Sequence, residues 1–275
     1  MCQSHKVADS TESGREAALV LPGMSLNATV FPPLPVATLR ADFNQAAGDA
    51  SSGGRGAAGD GMAAYVSAVD RLLDAPTWTD AERRLVIGHS FGGMLALAWW
   101  LHHGGRGPAD IDGLILVATT AGPMYDAVRL RVLKARTHEL RLGIGPLMRV
   151  WNNRTVTRSV HRILSRGVSE SVDFQTLAHK TDLRVGLAGW RATDWRARRS
   201  YRLAMWGFDV RAQLGRITVP TIVLSGGEDH LFPVAAGREL ADGIPGAEFR
   251  LVDGAGHILP LTHGEDVVRA VRDLL

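Results

Sequence analysis

A serine stands among glycines at Gly88-His89-Ser90-Phe91-Gly92, where the apolar run LVIG gives way to the apolar stretch GGMLALAWWL. A serine hydroxyl is a weak nucleophile alone. It needs a neighbouring base, and the base needs an acid to orient it. The G-x-S-x-G spacing supplies the stage for such chemistry. It sets the serine on a strained turn between strand and helix with its hydroxyl exposed, and it puts glycine where a side chain would collide with adjacent backbone. The following helix aims its free amides and the positive end of its dipole at the serine, so negative charge is favoured there.

The base and the acid are sought downstream. SGGEDHLFP places Asp229 just past the apolar run Thr221 to Ser225, and VDGAGHILP places His257 just past Phe249 to Val252. Both fall beyond the carboxyl ends of expected strands, where open α/β sheets build their sites. Asp229 is expected to hold the imidazole in one tautomer, and His257 to take the proton of Ser90. Glu228 and Asp253 are rival acids. Glu228 should point away if its neighbour points in, and Asp253 lies too close to His257 along the same strand end. His89 reads as a turn-packing residue, and His102-His103 as a helix-end pair favoured by the dipole. No zinc-ligand spacing appears, so neither a metal nor a cofactor is expected.

These residues need elements to position them. Short apolar runs without period-two alternation occur at Ala17 to Leu21, Arg84 to Gly88, Gly113 to Ala118, Thr221 to Ser225 and Phe249 to Val252, with a more polar candidate at Val36 to Phe43. Such runs are how parallel strands buried on both faces read. Helical spacing separates them: Tyr65, Val69, Leu72 and Leu73 share one face, and helices are expected over Gly92 to His103, Val234 to Leu240 and Asp266 to Leu275. The fold class is therefore α/β, a mostly parallel doubly wound sheet. The alternation breaks between Pro123 and Gly215, a helix-prone excursion far too long for a connection. It is expected to form an inserted helical cap. The expected organisation is a disordered 1–16, a core of 17–122 and 216–275, and a cap of 123–215.

One loop offers a rival motif. GRGAAG, from Gly54 to Gly59, matches G-x-G-x-x-G, but ten residues separate it from Phe43, and the dinucleotide fingerprint needs its first glycine tight against a strand end. A Gly-rich surface loop is expected instead. Four cap tryptophans, Trp151, Trp190, Trp195 and Trp206, read first as packing residues and only then as a pocket lining.

The chain has 275 residues and one cysteine, so no intrachain disulfide can form. Its first 16 residues are polar, and no segment approaches the ~20 apolar residues of a membrane helix. A cytoplasmic protein without membrane insertion is the expectation. The net charge of +3 conceals an asymmetry: residues 123–215 hold 18 Lys or Arg against 7 Asp or Glu. A basic segment of this size suggests an anionic partner. Its interspersed acids and the lack of any recognised motif argue against nucleic acid.

GHSFGG, GGEDHLFP and GAGHILP, in this order, together with the strand-turn ALVLPGM, resemble the serine-nucleophile members of the α/β-hydrolase superfamily. The resemblance covers Ala17 to Leu275, with the cap matched by position only. It implies a Ser90–His257–Asp229 triad, an oxyanion hole built from the amides of Phe91 and Met24, and an acyl-enzyme route of the carboxylesterase kind. The chain departs from many relatives at Pro22-Gly23, where they carry His-Gly, and in the loop after the second strand. The same residues serve a thioesterase, or an acyltransferase or cyclase acting on a carrier-bound acyl thioester, and the fold also hosts ligand sensors with little turnover. The expected partner is a small-molecule or carrier-bound acyl substrate, with an acidic carrier protein among the candidates.

The basic segment yields a test. A one-signed field near a cleft speeds the encounter with oppositely charged ligands and is screened within about 10 Å at 0.1 M salt. With increasing salt, kcat/KM for an anionic or carrier-borne substrate should fall while a small neutral ester stays nearly indifferent. Charge reversal at Arg196, Arg198 and Arg199 should reproduce the loss at low salt. Equal salt responses for both substrates, with the reversed variant unchanged, would remove any steering role.

Overall fold

A computed structural model describes residues 15–43, 60–104, 111–123, 180–193 and 195–275. Its centre is a sheet of six parallel strands: β1 (Glu16–Leu21), β2 (Ala37–Arg40), β3 (Arg83–His89), β4 (Gly113–Val117), β5 (Thr221–Gly226) and β6 (Glu248–Val252), in the order β2-β1-β3-β4-β5-β6. All six expected strands are present. The weakest candidate shrinks to the four residues of β2, an edge strand with only Leu39 buried. Parallel pairing forces each connection to return from one end of the sheet to the other, and helices flank or follow the strands among the described residues. They are α1 (Asp60–Leu72), the short α2 (Pro76–Thr79), α3 (Phe91–His102), α4 (Lys180–Ala192), α5 (Trp195–Trp206), α6 (Val234–Gly243), the short α7 (Leu259–Thr262) and α8 (Gly264–Leu274).

Strand residues alternate between two cores, as the pleat requires. Leu19 and Leu21 of β1, Val86 of β3, and Leu114 and Leu116 of β4 pack with Tyr65 and Val69 of α1 and Met94, Leu95 and Trp99 of α3. Their alternates Ala18, Val20, Leu85, Ile87, Ile115 and Val117 pack with Val267, Ala270 and Val271 of α8. Burial of the central strands on both faces explains their continuous apolar runs. Each fully buried Leu, Ile or Val contributes roughly 1.5–3 kcal/mol. Helix α3 is buried from Phe91 to Leu97, because sheet, α1 and α5 surround it. Asp70 of α1 accepts from Trp99 Nε1 at 2.8 Å and pairs with His103 Nε2 at 2.9 Å. His103 at the end of α3 is thus fastened to α1, a partner more specific than the helix dipole.

Strand β1 begins at Glu16, one residue before the expected core boundary, and residues 1–14 lie outside the described set. So do the GRGAAG motif, Trp151 and residues 124–179. The side chains of Trp190, Trp195 and Trp206, and of Arg196, Arg198 and Arg199, are outside it too. Of the excursion between β4 and β5, the described part includes α4 and α5. Both dock over the carboxyl ends of the strands. Tyr201 of α5 stacks on Tyr65 of α1 (ring centroids 5.5 Å apart, 20° between planes) and meets Phe91 of α3 edge-on at 4.9 Å. Tyr65 donates to Ser200 Oγ at 3.1 Å. Burial pushes the Tyr65 phenol up to about 12, against the smaller downward pull of Ser200, so it stays a donor near neutral pH. Helix α4 presses its backbone against the loop after β1: a Cβ at Gly189 would stand 2.2 Å from the carbonyl oxygen of Ser25.

That contact gives a paired test within one helix. Gly189→Ala should destabilise the protein by about 1–3 kcal/mol, the usual cost of overpacking. Gly186→Ala, where a Cβ meets nothing within 4 Å, should be neutral or stabilising by about 0.5–1 kcal/mol, as alanine favours helix. Denaturant unfolding of the two variants makes the comparison, and equal responses would refute the docking of α4 on Ser25.

Candidate active site

Strand β3 ends at His89 and helix α3 starts at Phe91, so Ser90 alone makes the turn between them. It does so at φ 54° and ψ −119°, a conformation that L residues adopt at a cost of order 1–3 kcal/mol. The surroundings enforce it. The Ser90 amide donates to Val117 O at 2.9 Å, and its carbonyl accepts from Thr119 Oγ1 at 2.7 Å and from the amides of Gly93 and Met94 at 3.0 and 3.2 Å. A Cβ at Gly92 would lie 2.0 Å from the carbonyl oxygen of Leu21, so no other residue fits between α3 and the end of β1. Among the described residues, the non-glycine positions with positive φ are Ser25, Ser90 and Ala118. All three follow the carboxyl ends of neighbouring strands, β1, β3 and β4. Backbone strain is concentrated at the carboxyl end of the central strands.

The three side chains singled out in the sequence stand in hydrogen-bonding order at the carboxyl end of the sheet. Ser90 Oγ lies 3.0 Å from His257 Nε2, and His257 Nδ1 lies 2.9 Å from Asp229 Oδ2. The other oxygen of Asp229 accepts from the amides of Leu231 and Phe232 at 2.7 and 2.9 Å. A carboxylate that only accepts requires Nδ1 to carry the ring proton, which leaves the Nε2 lone pair facing the serine hydroxyl. Burial, the largest single influence, pulls the His257 imidazole down. The charge and hydrogen bond of Asp229 and the charge of Asp182 together outweigh it, and the imidazole sits above its ordinary value. Serine, histidine and aspartate are all nearly closed to solvent, at 7%, 9% and 5% exposure. At such depth their mutual interactions are weakly screened.

The rival acids point elsewhere. Glu228 and Asp253 are exposed, and the carboxylate on the imidazole is that of Asp229. Met24 and Phe91 flank the turn. Phe91 is the first residue of α3, so its N–H has no partner within the helix. Its ring is buried against Tyr65 and Tyr201, each 4.9 Å away. Met24 follows β1, whose Leu21 pairs with Gly88 of β3, so its loop leaves the sheet beside Ser90.

Three participants escape the sequence reading. Thr119 clamps the strained carbonyl. His89, expected only to pack, holds the backbone of His257: its Nε2–H donates to the His257 carbonyl at 2.8 Å. Burial above all, with the nearby His257, pushes the His89 imidazole down to about 3, so it is neutral at ordinary pH. Its Nδ1 faces Gly23, at 3.0 Å from where a Cβ would stand. Asp182, on α4, accepts from the backbone amides of His257 and Ile258. Position after a strand end could have flagged Thr119. Nothing in the composition of its neighbourhood could have flagged Asp182. Among the described residues no group of three or more His, Cys, Asp or Glu converges as a metal site, and no helix is long and apolar enough to cross a membrane.

A parallel sheet of this order, with a serine turn after one central strand and an aspartate and a histidine after the last two, defines the α/β-hydrolase fold. Solved structures agree. A hydrolase from Oleispira antarctica superposes with a TM-score of 0.65 at 16% identity, covering 96% of this chain and 92% of its own. Est816, described as an N-acyl homoserine lactone degrading enzyme, gives 0.60 at 19% identity, covering 94% and 93%. The family model of serine aminopeptidase S33 matches residues 44–261, and the chain belongs to that family of hydrolases. In sequence it is 27% identical to a Variovorax paradoxus protein called "Putative carbamate hydrolase RutD", over 94% of this chain and 91% of that one.

The geometry predicts how the acid behaves. Asp229→Asn keeps the shape of the side chain but offers the imidazole an amide that favours the wrong tautomer, and kcat should fall by about four orders of magnitude. Glu228→Gln and Asp253→Asn should leave kcat within a few-fold of wild type. Steady-state kinetics on the three variants decide, and a crippled Asp253→Asn beside a near-normal Asp229→Asn would reverse the assignment.

Proposed function

We propose that this hydrolase cleaves an ester-like acyl bond, with Ser90 as nucleophile, His257 as general base and acid, Asp229 as orienting acid, and the amides of Met24 and Phe91 as the oxyanion hole. The observation that carries the reading is the continuous relay from Ser90 Oγ through His257 to Asp229, at 3.0 and 2.9 Å, starting from a serine in a strained turn.

Each step then follows from the groups in place. Ser90 Oγ adds to the acyl carbon as its proton passes to His257 Nε2, and the negative charge moves to the carbonyl oxygen between the two amides. Collapse of the adduct breaks the bond to the leaving group, which takes the proton from Nε2. An acyl ester remains on Ser90. Water then loses a proton to His257 as it adds to the same carbon, and the acid departs while Ser90 recovers its hydrogen. Asp229 offsets the positive charge that the imidazole carries between transfers. Segment 123–215 acts as the cap over this centre, and the substrate, a small molecule or an acyl group on a carrier, binds between cap and sheet. The setting is cytoplasmic.

The bond cleaved is read as a carboxylic ester. A carbamate is the second reading, supported by the RutD relative. A lactone is an internal ester and needs no change of residues, and the name of Est816 is consistent with it. A fluorophosphonate should label wild type on Ser90 and leave Ser90→Ala unlabelled. Turnover across a panel of esters, lactones, carbamates and thioesters at one pH should be greatest for an oxygen ester or lactone, and Ser90→Ala should lower it by about six orders of magnitude. Residual activity within tenfold of wild type would sink the proposal. Labelling without turnover of any member would make the protein a ligand sensor on the same fold.

A further inference from the structure

We propose that Asp182 is a positioning residue for His257: a carboxylate on α4 that fixes the backbone of the histidine and lends charge to its imidazole, so that reactivity at Ser90 depends on the seating of this helix. The inference rests on the reading of Ser90 and His257 given above.

Asp182 lies in the first turn of α4. An acidic residue there ordinarily serves the exposed amides of its own helix. This one turns away. Its two oxygens accept from consecutive amides 75 and 76 residues along the chain, those of His257 and of Ile258, the latter at 2.7 Å. It is 8% exposed. A buried charge requires compensation, and among the described residues no Lys or Arg forms an ion pair with it. Two backbone dipoles and the nearby imidazole are what it faces.

The consequence for His257 is a three-point hold. Asp229 takes Nδ1–H, Asp182 takes the backbone N–H, and His89 donates to the backbone carbonyl. The Nε2 atom has one task left, which is to meet Ser90. Val185, one turn beyond Asp182, packs on the cluster that contains Ile258, so the carboxylate and the apolar face of α4 grip the same loop.

Among the described residues, the titratable groups around the imidazole are Asp229 from the loop after β5, His89 from β3 and Asp182 from α4. His89 is neutral at ordinary pH, and Asp229 is bonded to the ring itself. Asp182 acts on the ring by charge without touching it, and it raises the affinity of the ring for a proton. Removing the charge therefore lowers the pKa of His257. The acid limb of kcat/KM, where the base must be neutral, moves to lower pH. A merely structural role would lower the plateau and leave the limb in place.

The test is titration of the His257 imidazole by NMR in wild type and Asp182→Asn, beside pH profiles of kcat/KM on a neutral ester. The asparagine keeps the size of the side chain, loses the charge and presents an NH2 donor to one of the two backbone N–H groups. Expected are a midpoint lower by about half to one unit, an acid limb displaced equally, and a plateau reduced about tenfold. Asp182→Glu, which keeps the charge, should hold the midpoint of wild type with a lowered plateau, and it stands in if the asparagine variant does not fold. An unchanged midpoint in Asp182→Asn, or a displaced one in Asp182→Glu, overturns the proposal. The NMR midpoint needs no turnover. A wild type that fails to label or turn over at Ser90 would remove the proposed function while the NMR comparison still decides the role of Asp182.

Discussion

The rest of the site depends on one residue held in an unfavourable backbone conformation. Ser90 turns the chain from β3 into α3 with a positive φ, and no local preference would keep it there. Its neighbours keep it there. Val117 takes its amide, Thr119 and the first turn of α3 take its carbonyl, and the fit of Gly92 against Leu21 lets the helix start where it does. These contacts draw on β1, β3 and β4 together, so the turn is only as stable as the packing of three strands. The strain at Ala118 belongs to the same arrangement, because it lies between Val117 and Thr119, which hold the serine.

The histidine is held in another way. Ser90 is constrained by hydrogen bonds to its own backbone and by steric fit. His257 sits on a loop after an edge strand, β6, of which only Val252 is buried. Ala255, Ile258 and Leu259 anchor that loop in the apolar core, and polar contacts fix the histidine within it: two carboxylates and a second imidazole, each from a different element. His89 can serve only because it is neutral. A protonated ring beside a raised His257 would place two cations about 5 Å apart, the distance between the ring centroids. Burial prevents this, and it turns a motif position into a dependable donor.

The pattern of buried parallel strands was legible because each central strand is apolar on both faces, which few other structures require. The serine, aspartate and histidine were legible because strand ends carry the site in such sheets, so their order and their positions after apolar runs were informative together. Strand β2 was harder to read: an edge strand with one buried residue has no continuous apolar run to show. Asp182 was illegible for a different reason. Its partners are main-chain amides, which leave no mark in a sequence, and it sits in a segment whose charge is dominated by arginine. His89 was visible as a residue but not as a donor, since its role depends on a burial that only the folded chain creates. The short helix α2 was missed because four residues carry no periodicity.

The ring contacts among Tyr65, Phe91 and Tyr201 bear on how this architecture can vary. Tyr65 comes from the helix before the serine turn, Phe91 from the turn itself, and Tyr201 from the excursion between β4 and β5. An inserted segment is often pictured as a cassette, free to be exchanged while the sheet beneath stays the same. Here the joint runs through a side chain that directly follows the serine. An exchange of the segment leaves Tyr65 and Phe91 facing a partner of the wrong shape, and a mismatch of ring packing would be felt at the residue whose amide is proposed for the oxyanion hole. Lineages that change what lies over this sheet are therefore expected to change position 65 with it, and recombination between relatives is expected to succeed where the crossover keeps residues 65 and 201 from the same parent.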